Sequence, residues 1–285
     1  MSNIDFTVII PQKNSLDTLP RTLESIPISD RIEIIIADNS ETPITKEDIG
    51  VDRDYQLVWA APSRYAGGAR NEALKEAHGK WLLFADADDY FTDDAFDEFY
   101  KHFDTDADIV FFLIDCYDPK KDVHTDRLKM HSDVLKQYLY GDHDEWPLRT
   151  RYPSPCAKMI RKQLVDEHNI WFDEVLVNND NFFSGVSSFY AKKIDAVDKE
   201  VYVYITNTSS VTHISDYKVI KQRVDVVVKL NSFLKQHGKG KYQSGMLSLI
   251  KDQSFFNRIK LFWHVIIKGQ NPFVGIDRLL KSKIK

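Results

Sequence analysis

The chain has 285 residues, of which 43% are hydrophobic and 28% charged, with a formal net charge of −5. This is the profile of a globular protein long enough to bury a large core, and it excludes the global basic field that would point to nucleic acid as a partner. Two cysteines, Cys116 and Cys156, are too few for a disulfide scaffold and fit a reducing compartment, so a cytoplasmic setting is expected. The opening MSNIDFTVIIPQKN has neither a basic n-region nor a long apolar h-region, so no signal peptide is expected. No run reaches the roughly 18 apolar residues of a spanning helix. Charge is uneven: residues 246–285 hold eight Lys/Arg and two Asp/Glu, while the rest hold 30 and 41, a balance of −11. An acidic body with a basic end favours an anionic surface near the C-terminus.

In chain order, FTVII (6–10) is β-branched and apolar and predicts a strand that Pro11 and Asn14 end. LDTLPRTLESI (16–26) puts Leu16, Leu19, Leu23 and Ile26 on one helical face. RIEIIIADNS (31–40) predicts a second strand and YQLVWA (55–60) a third. ARNEALKEAHG (69–79) predicts a helix capped by Gly79, and WLLFA (81–85) a fourth strand. TDDAFDEFYKHF (92–103) predicts a helix with Thr92 as N-cap and acids in its first turn. ADIVFFLI (107–114) predicts a fifth strand. Residues 115–150 read as a variable loop region with one helix near 134–140. Helices are predicted over 160–168 and 179–190, a strand over 201–206, and two long amphipathic helices over 216–236 and 246–268. Strands alternating with short helices give βαβ units: an α/β fold with a mostly parallel sheet flanked by helices. Ligands then bind beyond the carboxyl ends of strands, where Asp38 and the cluster Asp86, Asp88 and Asp89 fall.

Three carboxylates at the end of an apolar strand repel one another and lose solvation together. Oxygen ligands suit Mg²⁺ or Mn²⁺, which use one or two protein carboxylates and complete their shell with water and phosphate. An acidic turn before a helix is the alternative for the cluster taken alone. Its neighbours weigh against that alternative. VIIPQKN, EIIIADNS, GGARNEAL and WLLFADADDYF, in that order and spacing, resemble the family 2 glycosyltransferases of the GT-A fold. The resemblance is dense over residues 5–103 and returns at CAKMIRKQLVDEHNIWFDE (156–174), NNDNFFS (179–184 and the Asn before them) and YVYITNTSSVTH (202–213).

The resemblance implies an inverting, metal-dependent hexosyl transfer from a nucleotide-diphosphate sugar, UDP-sugar foremost, to a glycan or lipid-linked glycan in surface polysaccharide synthesis. It implies a GT-A domain over 1–215, with a nucleotide-sugar half (1–115) and an acceptor half (116–215), followed by a basic amphipathic helical region (216–285). Asp38 corresponds to the family's aspartate at the nucleotide base, Asp86 to the residue near ribose and sugar, and Asp88 to the ligand of Mn²⁺ or Mg²⁺. Pro11 and Asn14 correspond to the loop under the nucleotide, though Pro11 also reads simply as the strand's end. Arg70 corresponds to the family's arginine near the nucleotide, against the reading of a surface residue on a helix. Asp180 corresponds to the general base, against the reading of an N-cap for the helix that follows. Asn179 stands where the family carries Glu, and Asp38-Asn39-Ser40-Glu41 lacks the family's Gly, which reshapes the turn beside the base. Asp89 reads as a cap for the next helix, and Lys13 as solvated rather than phosphate-bound. His213 falls where some GT-A enzymes place a metal ligand, but a lone His is more often structural. Cys156 reads as a small buried residue. Trp146, Tyr152 and Trp171 read equally as sugar platforms or core.

LIKDQSFFNRIKLFWHVIIKG (249–269) mixes aromatics and aliphatics with Lys251, Arg258, Lys260 and Lys268. A helix covering the chain's own core, with the cations on its wet face, is the favoured reading. Peripheral contact with an anionic membrane at its inner face is the alternative. Two other functional classes stand beside the transferase. A nucleotidyltransferase would want a Gly-rich basic loop after the first strand, and PQKNSLDTL has no Gly. A non-catalytic nucleotide-sugar-binding module is permitted by Asn39 and Asn179, but Asp88 and Asp180 argue against it.

Overall fold

The structure is a computed structural model and describes residues 4–206 and 216–276. His213 lies outside the described residues. The elements run β1 (Phe6–Gln12), α1 (Leu19–Glu24), β2 (Ile32–Asp38), α2 (Lys46–Ile49), β3 (Gln56–Trp59), α3 (Tyr65–Glu76), β4 (Trp81–Phe84), β5 (Tyr90–Phe91), α4 (Ala95–Lys101) and β6 (Ile109–Asp118). They continue β7 (Val123–His124), α5 (Lys129–Tyr140), α6 (Glu145–Arg151), β8 (Lys158–Arg161), α7 (Lys162–Glu167), α8 (Asn181–Tyr190), β9 (Ile194–Ile205), α9 (Tyr217–Gln236), α10 (Leu247–Ile250) and α11 (Phe255–Ile267).

One sheet runs β3-β2-β1-β4-β8-β6-β9-β5, with β7 pairing β6. The first four strands are parallel, as βαβ units require. Beyond them the sheet is mixed. β8 enters antiparallel to both β4 and β6, β9 runs parallel to β6, and β5 runs antiparallel to β9. The expected parallel sheet therefore describes one end of it. A helix was expected from residue 160, but residues 160 and 161 end β8 and the helix begins at Lys162. The strand KMIR is too short, with only Met159 and Ile160 apolar, to be told by periodicity from the start of the helix that follows.

Other boundaries move for local reasons. Pro11 does not end β1, which pairs with β2 through Gln12 and Asp38. Alternate residues of a parallel strand bond to opposite neighbours. Ile9 O accepts from Ala85 N at 3.1 Å, so the Pro11 side of the strand faces β4, which has already ended at Phe84. The missing proline N–H costs no ladder bond there. Gly79 is not a cap, since α3 ends at Ala77. A Cβ on Gly79 would sit 2.4 Å from Thr7 N, so glycine lets the chain cross hard against β1. Thr92 is displaced as N-cap by Asp94 and instead donates to Glu200 O at 3.2 Å, tying the loop to β9. The 115–150 segment holds two helices, α5 and α6, rather than one. The long helix expected over 246–268 breaks into α10 and α11, where Ser254 accepts from Asn257 N at 3.4 Å.

The main core lies on both faces of the sheet and includes the fully buried Phe6, Trp81, Phe84 and Phe183. Each contributes roughly 2–3 kcal/mol of apolar transfer. A second, smaller cluster joins α9, α10 and α11 through Val224, Val228, Ile250, Leu261 and Val265.

Candidate active site

The strand order sets the geometry. β2 and β4 flank β1 in parallel, so Asp38 and the acidic turn after β4 leave the sheet at the same edge. Strand spacing puts them about 10 Å apart.

The turn is clamped from below by α1. Thr18 Oγ1 donates to Ala87 O at 2.8 Å, Thr22 Oγ1 to Asp89 O at 2.6 Å, and Arg21 Nη2 to Asp88 O at 2.5 Å. These bonds use main-chain oxygens and leave the carboxylates to other partners. Asp89 is buried and does not cap a helix. Its Oδ2 accepts from Tyr202 Oη at 2.9 Å and its Oδ1 from Ile205 N at 2.7 Å, which anchors the turn to β9. Tyr202 Oη also accepts from Asp86 N at 2.9 Å. Burial, with Asp86 and Asp88 beside it, pushes the Asp89 carboxyl well above the usual range. Burial and the charge of Asp86 likewise push Asp88 up to about 6. The carboxylates outweigh the cations that face them here, the condition an added cation relieves.

Asp38 is buried at the end of β2. Its Oδ1 accepts from Ser40 N at 3.1 Å and its Oδ2 from Ile44 N at 3.0 Å. The turn needs no glycine, since none of residues 39–43 has a positive φ. A cavity of about 310 Å³ opens beside it, lined by Gln12, Asn14, Ser40 and Ile44 among others. Asn14 turns the chain with a φ of 56° and is exposed; Pro11 is buried in β1. Gln12 Oε1 accepts from Ser15 N, while its Nε2 is buried without a hydrogen-bond partner.

Arg70 joins the two ends of the sheet. It is buried on α3 and not a surface residue. Its Nη2 donates to Asp86 Oδ1 at 2.5 Å and its Nη1 to Asn179 Oδ1 at 2.7 Å, with Phe172 packed 5.3 Å from the guanidinium. Burial opposes its charge, the carboxylates of Asp86 and Asp180 favour it, and the balance raises its pKa. Asn179 thus supplies the acceptor that a glutamate would supply at that position. The approach is tight. A Cβ on Gly67 would lie 2.0 Å from Asp173 O, so α3 reaches this loop only through a glycine.

Asp180 sits at the N-cap position of α8, but its side chain makes no capping hydrogen bond. Burial raises its carboxyl pKa, and Arg70 and Lys158 pull it back. Lys158, on β8, is fully buried; its Nζ donates to Tyr152 O at 2.7 Å and lies 4.8 Å from the Phe111 ring. Burial pushes its ammonium down to about 7. A cavity of about 560 Å³ opens on the far side of this loop, where Asn178, Asn181, Tyr152, Arg223, Leu230 and Leu249 contribute to its wall.

Sequence reading missed Tyr202, Lys158 and the α1 clamp. Lys158 had a signal, a charge inside the apolar string CAKMI, whereas Thr18 and Thr22 had none. Cys156 is buried, as expected, and Cys116 is buried too; both are free. Tyr152 is core, its hydroxyl donating to Phe112 O at 2.8 Å. Trp146 stacks on Tyr242 at 5.5 Å, and Trp171 is exposed. Among the described residues no cluster of three or more His, Cys, Asp or Glu is placed to hold a metal.

A parallel half-sheet with an acidic turn at its carboxyl edge, continued by a mixed half, is the GT-A architecture of nucleotide-sugar enzymes. Solved structures agree on that fold. Staphylococcus aureus TarS residues 1–349, in complex with UDP-GlcNAc, superposes with a TM-score of 0.63 at 20% identity, covering 90% of this chain and 76% of that one. The mannosyltransferase PcManGT from Pyrobaculum calidifontis, with GDP-Man and Mn²⁺, gives 0.59 at 14% identity, covering 97% and 79%. Residues 7–168 match the model for Glycosyl transferase family 2, and the chain belongs to that family. By sequence it is 22% identical to EpsH of Bacillus subtilis over 219 residues, 74% of this chain and 62% of EpsH. It is 24% identical over 226 residues to the poly(ribitol-phosphate) β-N-acetylglucosaminyltransferase TarS, 70% of this chain and 35% of TarS. The chain thus spans between about a third and three fifths of these relatives' own length.

Proposed function

We propose that this chain is an inverting glycosyltransferase of polysaccharide synthesis, moving a hexosyl group from a nucleotide-diphosphate sugar to a glycan or lipid-linked glycan hydroxyl. The observation that carries this reading is the Arg70 bridge, which binds Asp86 at the donor edge to Asn179 beside Asp180. It sets the nucleotide-facing carboxylates and a candidate base on one rigid frame. In this reading residues 1–115 are the donor half, 116–215 the acceptor half, and 216–285 a helical appendage.

The donor end is read as follows. Asp38, oriented by two amides, accepts from an N–H of the base, and UDP is the favoured nucleotide, in line with the complex of TarS. Gln12 Nε2 offers a donor to a base carbonyl in the same cavity. Pro11 and Asn14 shape the loop beneath, and Asp86 faces ribose and sugar. Mn²⁺ or Mg²⁺ fits Asp88, with Asp86 beside it: the donor set is hard oxygen, one or two carboxylates suffice, and the raised Asp88 pKa marks negative charge lacking a partner. Bound there, a divalent ion supplies charge neutralisation for the departing diphosphate.

At the acceptor end, Asp180 takes the proton from the attacking hydroxyl. Burial raises its basicity above that of a surface carboxylate, and Arg70 and Lys158 offset part of that rise. The acceptor oxygen bonds to the anomeric carbon from the face opposite the diphosphate. The bond from that carbon to the phosphate oxygen breaks with its electron pair, the configuration inverts, and the nucleoside diphosphate leaves. The acceptor hydroxyl approaches on the Asp180 side, and the free Cys116 and Cys156 suit a cytoplasmic setting.

Calorimetric titration with UDP and GDP, each with and without Mn²⁺, tests the donor assignment. Metal-dependent binding of UDP over GDP is expected. Absence of binding to either nucleotide would remove the transferase reading.

A further inference from the structure

We infer that the outward face of α11 docks on an anionic lipid bilayer. The favoured expectation was that this helix covers the chain's own core. Instead it buries only Leu261 and Val265. Phe255, Phe256, Ile259, Trp263, Ile266 and Ile267 are exposed, with Phe256 at 75% and Ile267 at 79%.

The helical repeat shows how these side chains are arranged. At 100° per residue, the six exposed apolar residues fall within one arc of about 120°. Arg258 borders that arc on one side and Lys260 on the other, both exposed. The opposite side carries Asn257, His264, Leu261 and Val265. It is fixed to α9 by the second core cluster and by His264 Nε2, which lies 2.5 Å from Asp225 Oδ1. Gln270 reinforces the seat, donating from Nε2 to Ser232 Oγ at 2.9 Å. The helix therefore cannot roll its apolar side inward without breaking this attachment. Thirteen residues make a rod about 20 Å long, and Phe273 and Ile276 extend the exposed apolar surface beyond it.

Charge selects the occupant. The body of the chain is acidic, with a balance of −11 outside residues 246–285, and it is repelled by an anionic surface. Arg258 and Lys260 edge the apolar arc, Lys251 precedes the helix and Lys268 follows it, all four exposed, and they reverse that sign locally. A broad apolar arc edged by cations is the pattern of a helix lying in a lipid interface. A second copy of the chain would bring the same cations against themselves. No helix among the described residues is long and apolar enough to cross a membrane, so the contact is peripheral. α10, packed against α9 beside α11, contributes Ser248 and Leu249 to the wall of the cavity that Asn178 and Asn181 also line. Docking would hold that cavity near the bilayer. The surface itself stands independently of the transferase reading.

The test is co-sedimentation of the full chain with phosphatidylglycerol vesicles and with phosphatidylcholine vesicles. Binding to the first, weakened by salt, is expected, with little binding to the second. Phe256→Glu with Trp263→Glu should abolish it, and Arg258→Glu with Lys260→Glu should weaken it by more than about tenfold. These side chains are exposed, so an unchanged melting temperature is expected and confirms folding. Trp263 emission should shift to the blue on adding vesicles, a change missing in Trp263→Phe. Failure of the wild-type chain to bind phosphatidylglycerol overturns the proposal. So does binding that survives both double variants, which would place the contact elsewhere. So does a dimer that the Phe256/Trp263 variant dissociates without any vesicle binding, which would make the face an interface between copies.

Discussion

The two ends of the sheet hold their carboxylates differently. At the parallel end, Asp38 is pinned by the amides of Ser40 and Ile44, and Asp89 by the amide of Ile205. These bonds fix the carboxyl oxygens in place. At the mixed end, Asp180 has no cap bond and sits among Arg70 and Lys158. A group that recognises a ligand needs position. A group that exchanges a proton needs a tuned environment and a free oxygen. On the proposed reading, the fold supplies the first from main chain at loop ends and the second from buried side chains.

The sharpest way to break this contrast is Asp180→Asn. Turnover should fall by about 10²–10⁴, the usual span for a lost general base, while UDP affinity stays unchanged in calorimetry. Near-wild-type transfer would make Asp180 another positioning group. Asp88→Ala comes next. Transfer should drop by roughly a thousandfold, several kcal/mol of leaving-group stabilisation, and UDP binding should lose its dependence on Mn²⁺. UDP binding that keeps its metal dependence would refute Asp88 as a ligand.

Asp86→Asn probes the joint between the ends. It leaves the buried Arg70 hydrogen-bonded to the neutral Asn179 and more weakly to residue 86, with Asp180 as the remaining nearby carboxylate. With Asp86 40% exposed on its side chain, a cost of about 2 kcal/mol is expected, or about 4 °C in melting temperature. Lys158→Met is smaller and is read through pH. Burial holds the native Lys158 near 7 against an ordinary 10.5, so the unfolded chain binds the extra proton between those values. Wild-type stability should therefore rise with pH, by about 1 kcal/mol from pH 7 to 8. Below about 7 both states are protonated and the cost of the buried charge is complete. The Met variant should lack this rise in urea titrations at the two pH values. Lys13→Ala should change stability by less than about 0.5 kcal/mol and leave UDP binding alone, since its pair with Glu41 is exposed. A marked loss of UDP affinity would make Lys13 a phosphate contact.

The parallel end was legible because β1 and β2 are sustained, largely apolar runs of seven residues each, readable from their own residues even where Pro11 and Gly79 misplace an end. The runs ending at Asp38 and Asp86, and the glycine pair before Arg70, lie where the residue patterns put them. The mixed end was less legible for a physical reason. β8 spans four residues, and its strand character comes from β4 and β6 on either side, which are distant in sequence. Lys158, Tyr202 and the Thr18–Thr22 clamp acquire their roles only when those distant segments meet. α11 shows a third case. Its amphipathic pattern was visible in the residues, but not which side faces the protein, because the attachment of His264 to Asp225 lies across 39 positions.

The placement of β8 has a consequence for how the chain is made. β1 to β4 pair among themselves, so the parallel end can assemble once residue 84 is available. Its outer strand, β4, then waits for residues 158–161 to cover it. Until they arrive, WLLF is an apolar edge open to pairing with other chains. Slowed synthesis between residues 84 and 158 should therefore trap this protein as aggregate, while its first half is already folded.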